Sequence, residues 1–302
     1  MIKVKVPATS ANLGVGFDCM GLAVSLYSEF YFEENPAGLE INGCPSEYQN
    51  EHNLVYQAFV KGCKYLDEPV PSIKLTIASQ VPVARGLGSS AVCITAGLKA
   101  AGVWFNNALS KEEILKLAIE MEGHPDNVTP SIYGGLCVTF LDDEAGEPVL
   151  AQYEVSESLK FAALIPDYPI STKEARAVLP TTMNYATAIH QVSRCTIMAR
   201  ALETGDDRLL HQTCHDLIHE PYRAKLIPEY GQAKKMTEAF HGTMYISGSG
   251  STLMAIMPDQ EAADFFVAEA QAAFPQWKIN EVAIDHDGLQ SEVIERGEVL
   301  YR

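Results

Sequence analysis

The sequence predicts an α+β protein of two domains. A chain of 302 residues is long enough for two domains of ordinary size. Its 47% hydrophobic and 20% charged content is that of a folded chain rather than a disordered one. Stretches with strand-like patterning are interleaved with stretches of helical period through both halves.

In the first half, residues 24–32 read as a strand and 53–66 as a helix. Residues 73–77 alternate apolar positions with Lys74 and Thr76, a strand with one wet face. Residues 91–104 are Ala-rich and helical. Ser110-Lys-Glu-Glu113 is a capping box that opens a second helix, 110–122. Residues 132–140 begin as a turn at Gly134 and Gly135 and continue as a strand, and 142–148 form an acidic turn. A short buried strand at 161–165 ends at Pro166, and the domain boundary is placed just before it, giving domains 1–158 and 159–302.

In the second half, Ser171 caps a helix that Pro180 stops, and helices occupy 185–204 and 206–219. Strands at 243–247 and 252–257 flank a glycine loop, and a helix at 259–274 precedes a strand at 278–284. The order strand, helix, strand, strand, helix, strand predicts a ferredoxin-like α+β sandwich.

Charge and cysteines narrow the function. A formal net charge of −17 opposes nucleic acid and acidic membrane surfaces as partners. Seven cysteines stand singly, with no Cys-x-x-Cys pair, so neither a zinc ribbon nor a disulfide framework is indicated. The first residues lack the apolar core of a signal peptide and no uncharged stretch reaches spanning length, so a cytoplasmic location is expected.

The most informative segment is Pro82, Val83, Ala84, Arg85, Gly86, Leu87, Gly88, Ser89, Ser90 and Ala91 in succession. Gly86 and Gly88 allow a tight turn and close approach of backbone amides to a ligand. The serines fall where a helix begins, with free N–H donors and the positive dipole end outward, an arrangement that binds phosphate. A Walker loop is excluded because Ser89 occupies its lysine position. Gly86-Leu-Gly88-Ser-Ser-Ala91 matches a dinucleotide fingerprint, but the half-wet strand before it and the helix after it are the wrong context. A glycine-rich turn without ligand is the remaining alternative.

Other residues carry chemistry by position. On the helix from Ser110, Glu122 falls beside Leu115 and Ala118 on the apolar stripe, and an inward carboxylate is costly unless paired or protonated. A frayed last turn that lets Glu122 reach water is the alternative. Gly123-His-Pro-Asp-Asn127 is a turn-rich polar segment in which Asp126 and Asn127 either cap the next segment or face a ligand. Asn12 and Asp18 flank Gly14 and Gly16, whose bends can aim both side chains into a cavity; a tight strand connection is the other reading. Thr172 and Arg176 lie one turn apart on the Ser171 helix, and Arg223 comes after Pro221 beyond the His219 helix. His211, His215 and His219, spaced by four on one predicted helix, offer a rival metallohydrolase reading. It is weakened by Asp216 standing where a zinc protease has glutamate.

On these residues the chain resembles the GHMP small-molecule kinases, whose loop reads Pro-x-x-x-Gly-Leu-Gly-Ser-Ser-Ala. Pro7-Ala-Thr-Ser-Ala-Asn-Leu-Gly-Val-Gly-Phe-Asp18 is similar to the first motif of the homoserine kinases within that family, and Ser247-Gly-Ser-Gly-Ser-Thr252 to the third family motif. Ser251 stands where the family usually has proline, and one glycine separates Glu122 from His124 where many homoserine kinases have a longer stretch.

The resemblance implies an N-terminal ribosomal-S5-like α+β domain and a C-terminal ferredoxin-like one, with the active site in the cleft between them. It implies ATP and Mg2+ as cofactors and phosphorylation of the side-chain hydroxyl of L-homoserine, on the path to threonine, by a homodimer. By resemblance, residues 82–91 hold the nucleotide, Ser90 and Glu122 hold the metal, and Ser90, Glu122, Asp126 and Thr172 act at the reacting groups. Arg176 and Arg223 take the substrate carboxylate, while Asn12, Asp18, His124, Asn127 and Gly248 complete the substrate site. A sister kinase acting on another alcohol such as mevalonate, and a nucleotide-binding module without catalysis, are the alternatives. The paired arginines disfavour the first, and Ser90 with Glu122 disfavours the second.

Overall fold

The computed structural model describes residues 1–294. The first half is built on a hairpin of two long strands, β1 (Ile2–Asn12) and β2 (Gly16–Glu34). The hairpin is continued by β3 (Glu40–Asn42), α1 (Leu54–Tyr65), β4 (Ile73–Ser79), α2 (Ser89–Trp104), α3 (Lys111–Glu122), α4 (Pro125–Tyr133), β5 (Leu136–Leu141) and β6 (Pro148–Tyr153). Each end of β2 has its own partner: residues 28–34 pair with β4, whereas 20–22 pair with β5, which pairs in turn with β6. All of these ladders are antiparallel except the short parallel one between β3 and β4. The four helices cover one face of this sheet in a core that includes Phe30, Phe32, Phe59, Ile73 and Leu75.

Helix ends obey local chemistry. Asn53 accepts from the Val55 and Tyr56 amides at the start of α1, and Ser110 and Glu113 close the expected capping box on α3. Gly123, left-handed at φ 88°, ends α3 directly after Glu122.

The second half comprises β7 (Lys160–Ile165), α5 (Thr172–Ala177), α6 (Tyr185–Thr204), α7 (Asp207–Thr213), α8 (Glu220–Arg223), α9 (Tyr230–Ala239), β8 (Thr243–Ile246), β9 (Leu253–Met257), α10 (Gln260–Ala273) and β10 (Lys278–Val282). Its sheet has the order β10-β7-β9-β8, antiparallel throughout, which is the predicted ferredoxin-like arrangement. The strands bury both faces. Phe161, Ala163, Ile165, Met254 and Ile256 point into a core shared with the β1–β2 hairpin, α6 and α7, while Ala162, Leu164, Leu253, Ala255 and Met257 point into a core with α9 and α10. That shared core fixes the two halves against each other. The last described strand, β11 (Gln290–Val293), pairs with β1 and so joins the first sheet.

Some expectations are corrected. Helix α4, residues 125–133, takes in most of the turn-rich segment 123–127 and the start of the turn and strand expected over 132–140: Pro125 occupies the first helical turn, where its missing N–H costs nothing. The helix expected over 206–219 stops at Thr213, because the Asp216 carboxylate accepts from the amides of Ile218, His219 and Glu220 and turns the chain. The histidine stripe therefore does not exist on one helix, and no cluster of three potential metal-binding side chains is found among the described residues. No helix among them is long and apolar enough to cross a membrane.

Candidate active site

The loop before α2 is shaped from both sides. The carbonyls of Ala84, Arg85 and Gly86 accept hydrogen bonds from Ile170 N (3.0 Å), Thr252 N (3.1 Å) and Ser247 Oγ (2.6 Å), all from the second half. Glycine is required twice. At Gly86 (φ 73°) a Cβ would sit 2.1 Å from the Ser247 carbonyl oxygen, and at Gly88 (φ 67°) it would sit 1.9 Å from Thr9 Oγ1. Gly88 is the N-cap of α2, so the amides of residues 86–90 gather at a helix N-terminus, and none finds an acceptor among the described residues. A helix N-terminus of this kind can hold an anion.

Beside it, Ser90 Oγ donates to Glu122 Oε2 at 2.6 Å. The Glu122 side chain is 12% exposed and turned inward, and burial raises its carboxyl above the usual range. Past Gly123 the chain enters α4, whose first turn carries Asp126 and Asn127. His124 Nδ1 lies 2.5 Å from Asp126 Oδ1. Burial disfavours the imidazolium, but the Asp126 hydrogen bond and the carboxylates around it outweigh this and raise His124. Asn127 Oδ1 accepts from Thr9 Oγ1 at 2.8 Å, which ties α4 to β1.

The opposite wall comes from the hairpin turn and the second half. Asp18, left-handed at φ 58°, accepts two hydrogen bonds of 2.9 Å from Arg176. Arg223 is 3% exposed and donates to the carbonyls of Ala175 (3.1 Å) and Gly248 (2.8 Å). Among the described residues no carboxylate lies within ion-pair distance of it. Burial draws its pKa down to about 10. Asn12 bridges the turn, accepting from the Asp18 amide and donating to the Gly248 carbonyl.

These residues surround one cleft with about 530 Å³ of empty space. A second, largely apolar cavity opens behind Ser89 and Ser90, walled by Phe30, Tyr48, Val55, Ile77, Val92 and Cys93.

Comparison with known proteins agrees with this geometry. Residues 53–135 match the model of the GHMP kinases N terminal domain, and residues 198–276 that of the GHMP kinases C terminal. A homoserine kinase of Clostridium botulinum is 41% identical over 292 residues, covering 95% of this chain and 97% of its own. The chain belongs to the GHMP kinase family. Among solved structures, a homoserine kinase from Cytophaga hutchinsonii aligns with this GHMP kinase at TM-score 0.85 and 27% identity, covering 96% of this chain and 97% of that one. A putative homoserine kinase from Listeria monocytogenes aligns at TM-score 0.82 and 25% identity, over 97% and 100% of the two chains. A mevalonate kinase, 15% identical at TM-score 0.71, shares the fold.

Of the residues singled out from the sequence of this GHMP kinase, Asn12, Asp18, Ala84, Gly86, Gly88, Ser89, Ser90, Glu122, His124, Asp126, Asn127, Thr172, Arg176, Arg223 and Gly248 all line the cleft. Pro82, Val83, Arg85, Leu87 and Ala91 do not. Leu87 and Ala91 are core residues, and Val83 lines the apolar cavity instead. The Arg85 guanidinium points away from the cleft: it donates to the Pro166 (3.0 Å) and Asp167 (2.6 Å) carbonyls and so clasps the loop to the second half. The walls of the apolar cavity escaped sequence reasoning. Apart from Val83, Ser89 and Ser90, which belong to the glycine-rich segment, they come from separate stretches between Ser28 and Cys93, none with a motif of its own.

Proposed function

We propose that the cleft transfers the γ-phosphoryl group of ATP to the side-chain hydroxyl of L-homoserine, giving O-phospho-L-homoserine for threonine biosynthesis. One juxtaposition carries the reading. A helix N-terminus with free amides faces, across a single cleft, a buried arginine that has no carboxylate partner among the described residues. An anionic phosphate chain suits the first wall and an amino acid's carboxylate suits the second.

In this reading the amides of residues 86–90 cradle the β- and γ-phosphates, and the apolar cavity behind Ser89 receives the adenine. Ser90 and Glu122 fit a magnesium ion: they present a hydroxyl and a carboxylate oxygen 2.6 Å apart, and Mg2+ commonly takes one or two protein oxygens beside phosphates and water. A bound Mg2+ neutralises charge on the phosphate oxygens. Arg223 and Arg176 take the substrate carboxylate and Asp18 its ammonium, with Asn12 and Gly248 holding that corner in shape. His124, Asp126, Asn127 and Thr172 orient the hydroxyl. Phosphoryl transfer depends on positioning and electrostatics more than on a strong base, so either Asp126 or the phosphoryl group itself accepts the hydroxyl proton.

An ADP-release assay with homoserine, mevalonate and shikimate tests the reading. Turnover is expected with homoserine, and its absence with all three would reduce the protein to a binding module. The family resemblance also supports a cytoplasmic homodimer with a domain boundary near residue 158. Light scattering of the purified protein checks the dimer.

A further inference from the structure

Phe17, the second residue of β2, is half-buried and has no role in the assignments above, yet it touches the carboxylate corner from below. Its ring centre lies 5.2 Å from Arg223 Cζ and 5.9 Å from Arg176 Cζ. Both distances fall within the reach of cation–π attraction. The ring also stacks on His219, with centroids 5.3 Å apart and 26° between planes. His219 is fully buried and fixed: Nε2 donates to the Gly14 carbonyl at 2.8 Å. Burial disfavours its charged form and lowers its pKa, against the pull of Asp216, whose Oδ2 lies 3.8 Å from Nε2.

The arrangement addresses an electrostatic problem. Two guanidinium groups that share one corner repel each other. Asp18 is engaged in a two-point bond with Arg176, and the groups that Arg223 donates to are uncharged carbonyls. The negative face of an aromatic ring is a further feature beside both cations, and it takes up none of their N–H donors.

We propose that Phe17 is a positioning residue for the substrate's carboxylate: its π face holds both Arg176 and Arg223 at one corner of the cleft. The proposal rests on the reading that these arginines take that carboxylate. A purely steric role for Phe17 would depend on the shape of the ring; this role depends on its electron density.

Progressive fluorination separates the two. Phe17 is replaced in the full chain by 4-fluoro-, 3,5-difluoro- and 3,4,5-trifluorophenylalanine, which keep the shape and drain the ring's negative face. The homoserine KM rises stepwise to about tenfold, with kcat within about twofold and the ATP KM unchanged. Phe17→Leu gives about the same increase and Phe17→Tyr restores normal values. A flat fluorine series, or one that moves kcat or the ATP KM in parallel, overturns the proposal. Arg176→Ala and Arg223→Lys are measured alongside. If they raise the homoserine KM while the fluorine series is flat, the carboxylate reading stands and only the role of Phe17 falls. If they leave it unchanged, the carboxylate reading itself has failed.

Discussion

Ser90 Oγ donates to Glu122 Oε2 across 2.6 Å, joining the first turn of α2 to the last residue of α3. The bond holds an acid in a place that burial makes unfavourable for its charge. Glu122→Ala and Glu122→Gln are expected to lower kcat by at least ~100-fold, the scale of losing a group that stabilises transition-state charge. The melting temperature should stay level or rise, because a poorly solvated carboxylate is removed. Steady-state kinetics with a thermal melt checks both, and near-normal turnover would refute the assignment of Glu122.

The two arginines should part company on stability. Arg176→Ala is expected to raise the homoserine KM about 10- to 100-fold with little change in folding, since its pair with Asp18 is 40% and 34% exposed and surface pairs contribute about 0–1 kcal/mol. Arg223→Ala should raise the same KM and also destabilise by about 2–4 kcal/mol. It strips the Ala175 and Gly248 carbonyls of a buried donor and leaves a hole. Urea unfolding of both variants distinguishes them.

Gly86→Ala and Gly123→Ala form a matched pair. Both glycines are left-handed, at φ 73° and 88°, so both substitutions carry the roughly 1–2 kcal/mol strain of that backbone. Only the Cβ at residue 86 meets an obstacle, the Ser247 carbonyl at 2.1 Å, while nothing lies within 4 Å at residue 123. Gly86→Ala should therefore raise the ATP KM at least ~10-fold and lose more stability than its partner. Equal stabilities for the two variants would contradict this geometry.

Glu220 governs a pH dependence. It is buried, accepts from the Ile246 amide at 2.7 Å and from the Tyr230 hydroxyl, and has Asp216 and Lys234 nearby. Burial pushes its carboxyl from the ordinary 4.5 up to about 7. A raised acid stabilises the fold fully below the unfolded pKa, and that contribution is lost as pH rises toward the folded one. Stability should therefore decline between about pH 4.5 and 7 by about 3 kcal/mol from this group. Glu220→Gln should remove that part of the slope, as read from urea unfolding across the pH series.

The apolar cavity makes a claim on nucleotide alone. Cys93 sits one helical turn beyond Ser89 on α2 and lines that cavity. Cys93→Trp should fill it and raise the ATP KM about tenfold or more, leaving the homoserine KM close to normal. A nucleotide that still binds normally would place the adenine elsewhere.

Much of the fold was legible because local chemistry decides it. The capping boxes at Ser110 and Ser171 and the bounds of α6, Tyr185 to Thr204, stand as read from sequence. Errors arose where a side chain acts against the local pattern. The turn-rich segment at Pro125 starts α4, and Asp216 ends the helix expected to run on to residue 219. Helix α9 has no side-chain cap at Glu229 and so gave no start signal. Within the site, the loop motif and the inward face of Glu122 were readable. The bidentate grip of Arg176 on Asp18 was not, since nothing local links residues 158 positions apart.

The clasp on residues 84–86 ties the loop before α2 to the second half. The loop is held by β7's trailing segment, by the Ser247–Thr252 loop and by Arg85 reaching across to Pro166 and Asp167, while its far end is already the first turn of α2. Any jaw-like parting of the halves would break the hydrogen bonds that shape this loop. On the proposed function, the loop that meets the phosphates is therefore already set in place by the second half before any ligand arrives.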